Sequence, residues 1–374
     1  MASRLAALHG IVAAARPSSL QLGGKGRNGR IAYRWGPPPL VGWRQLCRPA
    51  LDSAAHPSTL ASAGGAGLIA RAELAALNRL RNGPAAVRLT SHLLTIAAGG
   101  LVWGQQGWPL ALRLAGLLLC GVGLATCFAG LHECSHRTAF RSRALNDGAA
   151  WLLGVLSFYN ATAYRRYHQW HHRYTHQPGL DPELDDPVPT SAAAYLLEIS
   201  GWHWWSGKAA GFARLLWGDL SGVPYFNAEA IPRVRRSAWL QMGVYLVLAA
   251  VSLIGGSGFL LWYWLLPLAL GQPFLRFVLL AEHSGCSFSS DGTTNTRTTL
   301  TTAPVRWLMW NMPFHAEHHL FASIPFHALP AAHRHIAPHL THLDCGYLAV
   351  HRRLLASLPA LALPGGGARG NQPE

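Results

Sequence analysis

Acidic residues are scarce in this chain. Sixteen Asp and Glu stand against 31 Lys and Arg in 374 residues, and only 13% of the residues are charged. Residues 1–51 hold no acid at all beside eight Lys and Arg. So little charge, together with 15 Trp and a 50% hydrophobic composition, favours a membrane protein over a large soluble core. Cysteine is equally uninformative as a framework. Cys47, Cys120, Cys127, Cys134, Cys286 and Cys345 form no CxxC pair, and two lie within apolar runs. That pattern excludes a disulfide scaffold and points to a reducing face for the polar parts. Zinc-finger spacing is missing too, as is any basic run with interleaved aromatics in the body of the chain, so the surplus of positive charge carries no nucleic-acid surface. No internal repeat is present.

What is there is apolar runs and histidine. Four spans can be drawn: Leu89–Trp103, Leu114–Leu131, Trp239–Gly256 and Gly258–Leu275. Leu114–Leu131 has 18 uncharged residues, and Arg113 precedes it in a position to snorkel. Leu89–Trp103 is short and contains His92. The apolar run Gly148–Phe158 is too short to span and reads as re-entrant or interfacial. The connectors 104–109 and 255–258 carry no charge, whereas residues 132–238 hold 11 Lys and Arg and residues 282–374 hold six. By the positive-inside rule the two connectors face out, and both termini face the cytoplasm or its stromal or matrix equivalent. Trp103 and Trp108 at one tip, with Trp262 and Trp264 near the other, fit an interfacial belt.

Residues 1–51 are rich in Arg, Ala, Gly and Pro. They read either as an organellar transit peptide or as a disordered extension. Residues 69–82 carry Leu at helical spacing and are expected to lie amphipathically on the membrane surface. From Pro359 onward periodicity is lost and disorder is expected.

Three histidine clusters fall on the side assigned to the cytoplasm: His132 and His136; His168, His171 and His172; His315, His318 and His319. Spacings of three and four place imidazoles on one helix face, about 5–6 Å apart. The Leu114–Leu131 span is expected to continue as helix through His136, and residues 164–176 to form one helix. Pro313 favours a helix start just before His315, with Asn311 as a candidate cap. Eight imidazoles on one side form a metal site. Imidazole suits Zn, Cu, Fe and Ni alike. Eight nitrogens exceed one tetrahedral zinc and suit two metals of four or five ligands each. A pair of redox-active irons that bind O₂ is the natural use beside a membrane, since zinc has no redox chemistry. His132-Glu-Cys-Ser-His136 is also literally HExxH, the zinc-protease signature, but that reading leaves both HxxHH clusters unused. A metal-transport protein would carry ionisable residues inside its spans, which are almost absent here.

One HxxxH box followed by two HxxHH boxes resembles the membrane fatty-acid desaturase superfamily. Tyr174-Thr-His-Gln-Pro-Gly-Leu-Asp-Pro-Glu-Leu184, Asn311-Met-Pro-Phe-His-Ala-Glu-His-His-Leu-Phe-Ala-Ser-Ile-Pro325 and Asn295-Thr-Arg-Thr-Thr299 extend the likeness, the last toward bacterial-type members. It covers about residues 69–345. The resemblance implies an all-α integral membrane protein of about four transmembrane helices in two hairpins, with a cytoplasmic helical cap. With the composition of its ends, the chain is expected to divide into the basic extension 1–51, an amphipathic membrane-surface segment 52–88, a desaturase domain 89–345 and a largely disordered tail 346–374. The resemblance also implies a di-iron centre held by the eight box histidines and by His283, a ninth ligand after the last span. Leu279 stands where some acyl-CoA members have Asn. Glu133, Asp185, Asn311 and Glu317, with Asp181, Glu183 and Asp186, are candidate partners for the imidazole N–H groups; the alternative for the 181–186 run is solvated acids balancing nearby Arg. His176, His327 and His335 are expected beside the site or on the surface.

The implied activity is O₂-dependent introduction of a cis double bond into a fatty-acyl chain of a lipid or thioester. The alternative is hydroxylation or ketone formation on lipid, alkane or carotenoid. With no carrier domain recognisable, electrons are expected from a separate donor such as a ferredoxin or cytochrome b5.

Overall fold

The computed structural model describes residues 65, 67–185 and 188–358. The basic stretch 1–51, Asp186 and the tail from Pro359 lie outside the described residues. Among those described, the regular structure is almost all helix: α1 Arg71–Leu77, α2 Asn82–Gly104, α3 Leu110–His136, α4 Arg143–Leu156, α5 Ala161–Tyr174, α6 Ala192–Ile199, α7 Trp202–Trp217, α8 Ala230–Ile254, α9 Leu266–His283, α10 Ala303–Leu308, α11 His315–Leu320, α12 Leu329–Ile336 and α13 Tyr347–Ala356. A π-helical turn, Leu261–Leu265, runs directly into α9. Two short strands, β1 Thr298–Leu300 and β2 Leu343–Cys345, pair in parallel with Thr299 opposite Asp344, a ladder the periodicity did not announce.

Among the described residues, four helices are long and apolar enough to cross a membrane: Asn82–Gly104, Leu110–His136, Ala230–Ile254 and Leu261–His283. Each is longer than its sequence-drawn span because a polar end continues the same helix. The first begins seven residues before Leu89, since Arg88 is satisfied inside the protein by the carbonyls of Arg306 (3.1 Å) and Trp307 (2.6 Å). His92 likewise belongs there: its Nε2 bonds the Gly123 carbonyl at 2.8 Å, and Trp310 Nε1 donates to its Nδ1 at 3.3 Å.

Helix α3 is the central element. Of its most apolar window 72% is buried, against 11% for α8. It meets α9 backbone to backbone. A Cβ on Gly121 would lie 2.1 Å from the Pro267 carbonyl oxygen, and one on Gly271 would lie 2.0 Å from the Gly121 oxygen, so only glycine permits the crossing. The 14-residue α4 packs Ala150 and Leu153 into the core beside Leu131 and is too short to span.

Three sequence expectations change. Residues 69–82 form only the short α1, whose Leu77 joins a buried cluster with Ile69, Phe314, Ile324, Leu329 and Ile336. Protein therefore covers the apolar face that was expected on a membrane surface. Trp264 is not a belt residue. Its Nε1 donates to the Leu156 carbonyl at 2.8 Å and its ring stacks on Phe158, whereas Trp108 and Trp262 are exposed. Among the cysteines, Cys120, Cys127, Cys134 and Cys286 are free thiols, but Cys345 is disulfide-bonded.

Candidate metal centre

The site is assembled from four helix ends. Helix α3 does run without a break through His132 and His136, and Arg137 stops it in the left-handed conformation (φ 63°). From there Arg137 reaches Asp147 through two bonds, Nε at 3.1 Å and Nη2 at 2.9 Å. Arg165 of α5 binds the same carboxylate (2.5 Å) and donates from Nε to the Ser135 carbonyl at 2.9 Å. One acid in an acid-poor chain thus clamps the first histidine box to the helix that carries the second.

Asn160 caps α5, its side chain accepting from Ala163 N at 3.0 Å, so His168, His171 and His172 fall within one regular helix. That helix ends at Tyr174, earlier than residues 164–176 predict, because His176 takes a left-handed conformation (φ 58°) and gives its N–H to Asp181 Oδ2 at 2.6 Å. His176 is therefore off the helix, with its Nδ1 on the Ser287 carbonyl. Helix α9 ends on His283. Arg297 fixes that end, donating from Nη1 to the carbonyls of Ala281 and Ser284 while its Nε binds Asp344 Oδ2 at 3.0 Å. The Asn295–Thr299 stretch is thus the strut that joins the ends of α5, α9 and α11. Asn295 Nδ2 donates to the Thr175 carbonyl, and Thr298 Oγ1 donates to Glu317 Oε2.

The structure brings all nine sequence-predicted histidines together in two groups. His132, His136, His168, His172 and His318 offer nitrogens within 4.8 Å of one another, and so do His171, His283 and His319. His315 joins the second group: its Nε2 lies 3.2 Å from His283 Nε2 and 3.1 Å from His319 Nε2. His172 Nε2 lies 3.1 Å from His318 Nε2, within the first group.

Burial, and then the neighbouring imidazoles, holds His168, His172, His315, His318 and His319 well below the usual histidine range, so their nitrogens carry free lone pairs at neutral pH. His171 differs. Burial pushes it down, but Glu183 and Asp181 outweigh that and hold it above the usual range.

The outer partners are only in part those expected. Asp181, not Asp185, accepts from His171 Nδ1 at 2.9 Å. Thr175 Oγ1 meets His319 Nδ1 at 3.0 Å, and the Asn295 carbonyl meets His283 Nδ1 at 3.1 Å. These contacts leave Nε2 of each ring for the centre. Glu133 makes no contact to an imidazole N–H: its Oε1 accepts from Phe326 N, pulled away by the chain beyond the third box. Glu317 binds His333 Nδ1 and Thr298, a pairing the spacing did not reveal. Asn311 is no cap. It sits in a left-handed turn (φ 60°) and donates from Nδ2 to the Phe326 carbonyl, while α11 starts at His315 after an N-cap Phe314. His335 pairs with Glu73 at 2.9 Å, and His327 has a buried Nε2 without a partner.

A narrow cavity of about 60 Å³ opens against the two groups, lined by Phe128, Tyr164, Leu279, Met309 and Met312 opposite His132, His168, His171 and His315. Glu183 and Glu282 also face it. Sequence reasoning passed over Glu282; the signal was a carboxylate inside an apolar helix, next to a histidine already singled out.

Two metal ions fit this donor set. His132 has neither ring nitrogen bonded and His136 lacks a partner at Nε2, although all three atoms are buried. Buried polar atoms without partners are costly, and a cation at the five-histidine group satisfies these three; the second group offers the Nε2 atoms of His171, His283, His315 and His319 to another. A protease-type zinc fits poorly, since Glu133 is tied to Phe326 and the HExxH pair shares its centre with three further imidazoles.

Residues 106–350 match the family model described as fatty acid desaturase. A sphingolipid delta(4)-desaturase/C4-monooxygenase of Rattus norvegicus is 30% identical over 225 residues, 56% of this chain and 60% of that protein. An sn-1 oleoyl-lipid 12-desaturase of Synechocystis is 25% identical over 246 residues, covering 57% of this chain and 65% of the relative. A dihydrorhizobitoxine desaturase of Bradyrhizobium elkanii is 28% identical over 292 residues, covering 71% and 77%. The chain thus spans about 60% of the length of the rat relative. By the extent of the family match, this chain is an integral membrane protein belonging to the fatty acid desaturase family.

Proposed function

We propose that the protein is a membrane di-iron oxidoreductase that introduces a cis double bond into a fatty-acyl chain of a lipid or thioester, using O₂ and an external electron donor. The observation that carries this reading is the gathering of nine imidazoles in two groups, four of which (His132, His168, His171 and His315) line a cavity they share with Phe128, Leu279, Met309 and Met312. His132, His136, His168, His172 and His318 would hold one iron, and His171, His283, His315 and His319 the other. When bound, the pair supplies the oxidising power to take hydrogen from an unactivated C–H, with O₂ and two electrons ending as water.

The protein's own share is placement. Phe128, Leu279, Met309 and Met312 would present hydrocarbon to the reacting segment of an acyl chain brought against the histidines. Neutral imidazoles keep their lone pairs for metal, while Asp181, Thr175 and the Asn295 carbonyl fix ring orientation from behind.

In the same reading, α2 with α3 and α8 with α9 form two hairpins, and the remaining helices form a cap on the cytoplasmic, stromal or matrix face. The division at residues 51, 88 and 345, with a targeting role for 1–51, belongs to this proposal. The electron donor would be a small acidic protein such as a ferredoxin or cytochrome b5.

A second reading, hydroxylation, is favoured by one observation: the printed name of the rat relative joins a desaturase to a monooxygenase. Loss of a second hydrogen gives the alkene, whereas delivery of oxygen gives the alcohol. Fatty-acid profiling of a host expressing the chain separates them. A new unsaturated species that disappears with His315→Ala supports desaturation, and a new hydroxy or keto lipid overturns it in favour of the second reading.

A further inference from the structure

We propose that Glu282 is a further ligand of the second metal position, the one framed by His171, His283, His315 and His319. This rests on the two-iron reading of the site. The two positions are unequal in histidine: five imidazoles converge on the first, while the second has three within 4.8 Å of one another plus His315. Glu282 stands at the poorer one. Its Oε2 lies 3.4 Å from His315 Nε2, and His315 Nε2 in turn touches the ring nitrogens of His283 and His319. Its other oxygen, Oε1, is buried without any hydrogen-bond partner. A buried carboxylate with Oε2 beside converging lone pairs and Oε1 unpaired is accounted for by a cation held between it and the imidazoles.

The backbone holds this residue in place as firmly as its neighbour. Arg297 N donates to the Glu282 carbonyl at 2.8 Å, and Arg297 Nη1 grips the carbonyls on either side of the Glu282–His283 pair, those of Ala281 and Ser284. The chemistry also suits iron. Hard carboxylate oxygen combined with imidazole is a common donor set for non-haem iron, and its charge offsets that of the cation in a buried site. Glu183 is the other carboxylate in reach, at 3.6 Å from His171 Nε2, but its side chain is 37% exposed and sits on a 3₁₀ turn rather than a helix end.

The test is iron stoichiometry and Mössbauer spectroscopy of the full chain purified in detergent and loaded with ferrous iron. Wild type is expected to hold two irons with distinct doublets. Glu282→Gln is expected to fall to about one iron per chain, keeping the doublet of the five-histidine position. Glu282→Asp, which keeps the carboxylate, is expected to retain the second iron with roughly tenfold weaker affinity, and Glu183→Gln to retain both. Two irons with unchanged doublets in Glu282→Gln overturn the proposal while leaving the two-iron reading intact. Loss of both irons in Glu282→Gln and Glu282→Asp alike marks a structural role and also overturns it. A wild-type chain that never binds a second iron overturns both.

Discussion

His171 hands its Nδ1 hydrogen to Asp181 Oδ1 across 2.9 Å, and both side chains are 1% exposed. The same Asp181 receives the backbone N–H of His176 and that of Glu183, so one carboxylate both turns the chain after α5 and fixes the tautomer of a metal-facing ring.

Asp181→Asn is therefore expected to weaken iron binding at the second position by about 10–100-fold without unfolding the protein. Titration with ferrous iron, followed by its absorbance, measures this. Unchanged affinity would remove Asp181 from the site.

The metal-free protein is expected to be labile to acid. His168, His172, His315, His318 and His319 are held below the usual histidine range by burial, so the unfolded chain takes up protons near pH 6.5 before the folded chain does. Stability is then lost as pH falls through about 6.5, by up to about 1.4 kcal/mol per pH unit for each such group. His171, held above the usual range, opposes this in part. Melting of the chelated protein in detergent should drop steeply from pH 7.5 to 5.5. A flat profile would mean that the imidazoles are not buried together.

Gly121→Ala places a Cβ 2.1 Å from the Pro267 carbonyl oxygen and must push α3 from α9. A cost of about 1–3 kcal/mol is expected, together with reduced iron retention, because both helices end in metal-facing histidines. Gly148→Ala, inside α4, meets nothing within 4 Å and serves as the control that holds or raises stability by up to about 1 kcal/mol. Equal melting temperatures for the two variants would contradict the close crossing.

Arg141, just after the first box, Arg173, in the second-box helix, and Arg233 and Arg236, in the first turns of α8, are exposed. If an acidic electron donor docks there, turnover supported by a ferredoxin or cytochrome b5 should fall several-fold between low and physiological salt. Turnover insensitive to ionic strength with both donors would sink the acidic partner.

The spacing of the boxes made eight of the nine histidines legible, because residues three and four apart must share a helix face. His283 was legible only through resemblance, as a single histidine has no period. The acids were harder to read. Which of Asp181, Glu183 and Asp185 meets His171 depends on the left-handed turn at His176, and nothing in the local sequence announces that turn. Asn311 looked like a cap before a proline, yet the chain bends left-handed there and spends its side chain on Phe326. The first span was cut short at Leu89, since Arg88 reads as an end until its partners, the carbonyls of Arg306 and Trp307, are seen. The parallel β1–β2 pair, only three residues a side, is too short to leave a pattern.

Metal analysis of the intact purified chain is the most direct measurement. Two irons per chain, falling when His318 or His319 is replaced by Ala, is the expected result. A single zinc per chain with no iron would contradict the di-iron centre and return His132-Glu133-Cys134-Ser135-His136 to the protease reading.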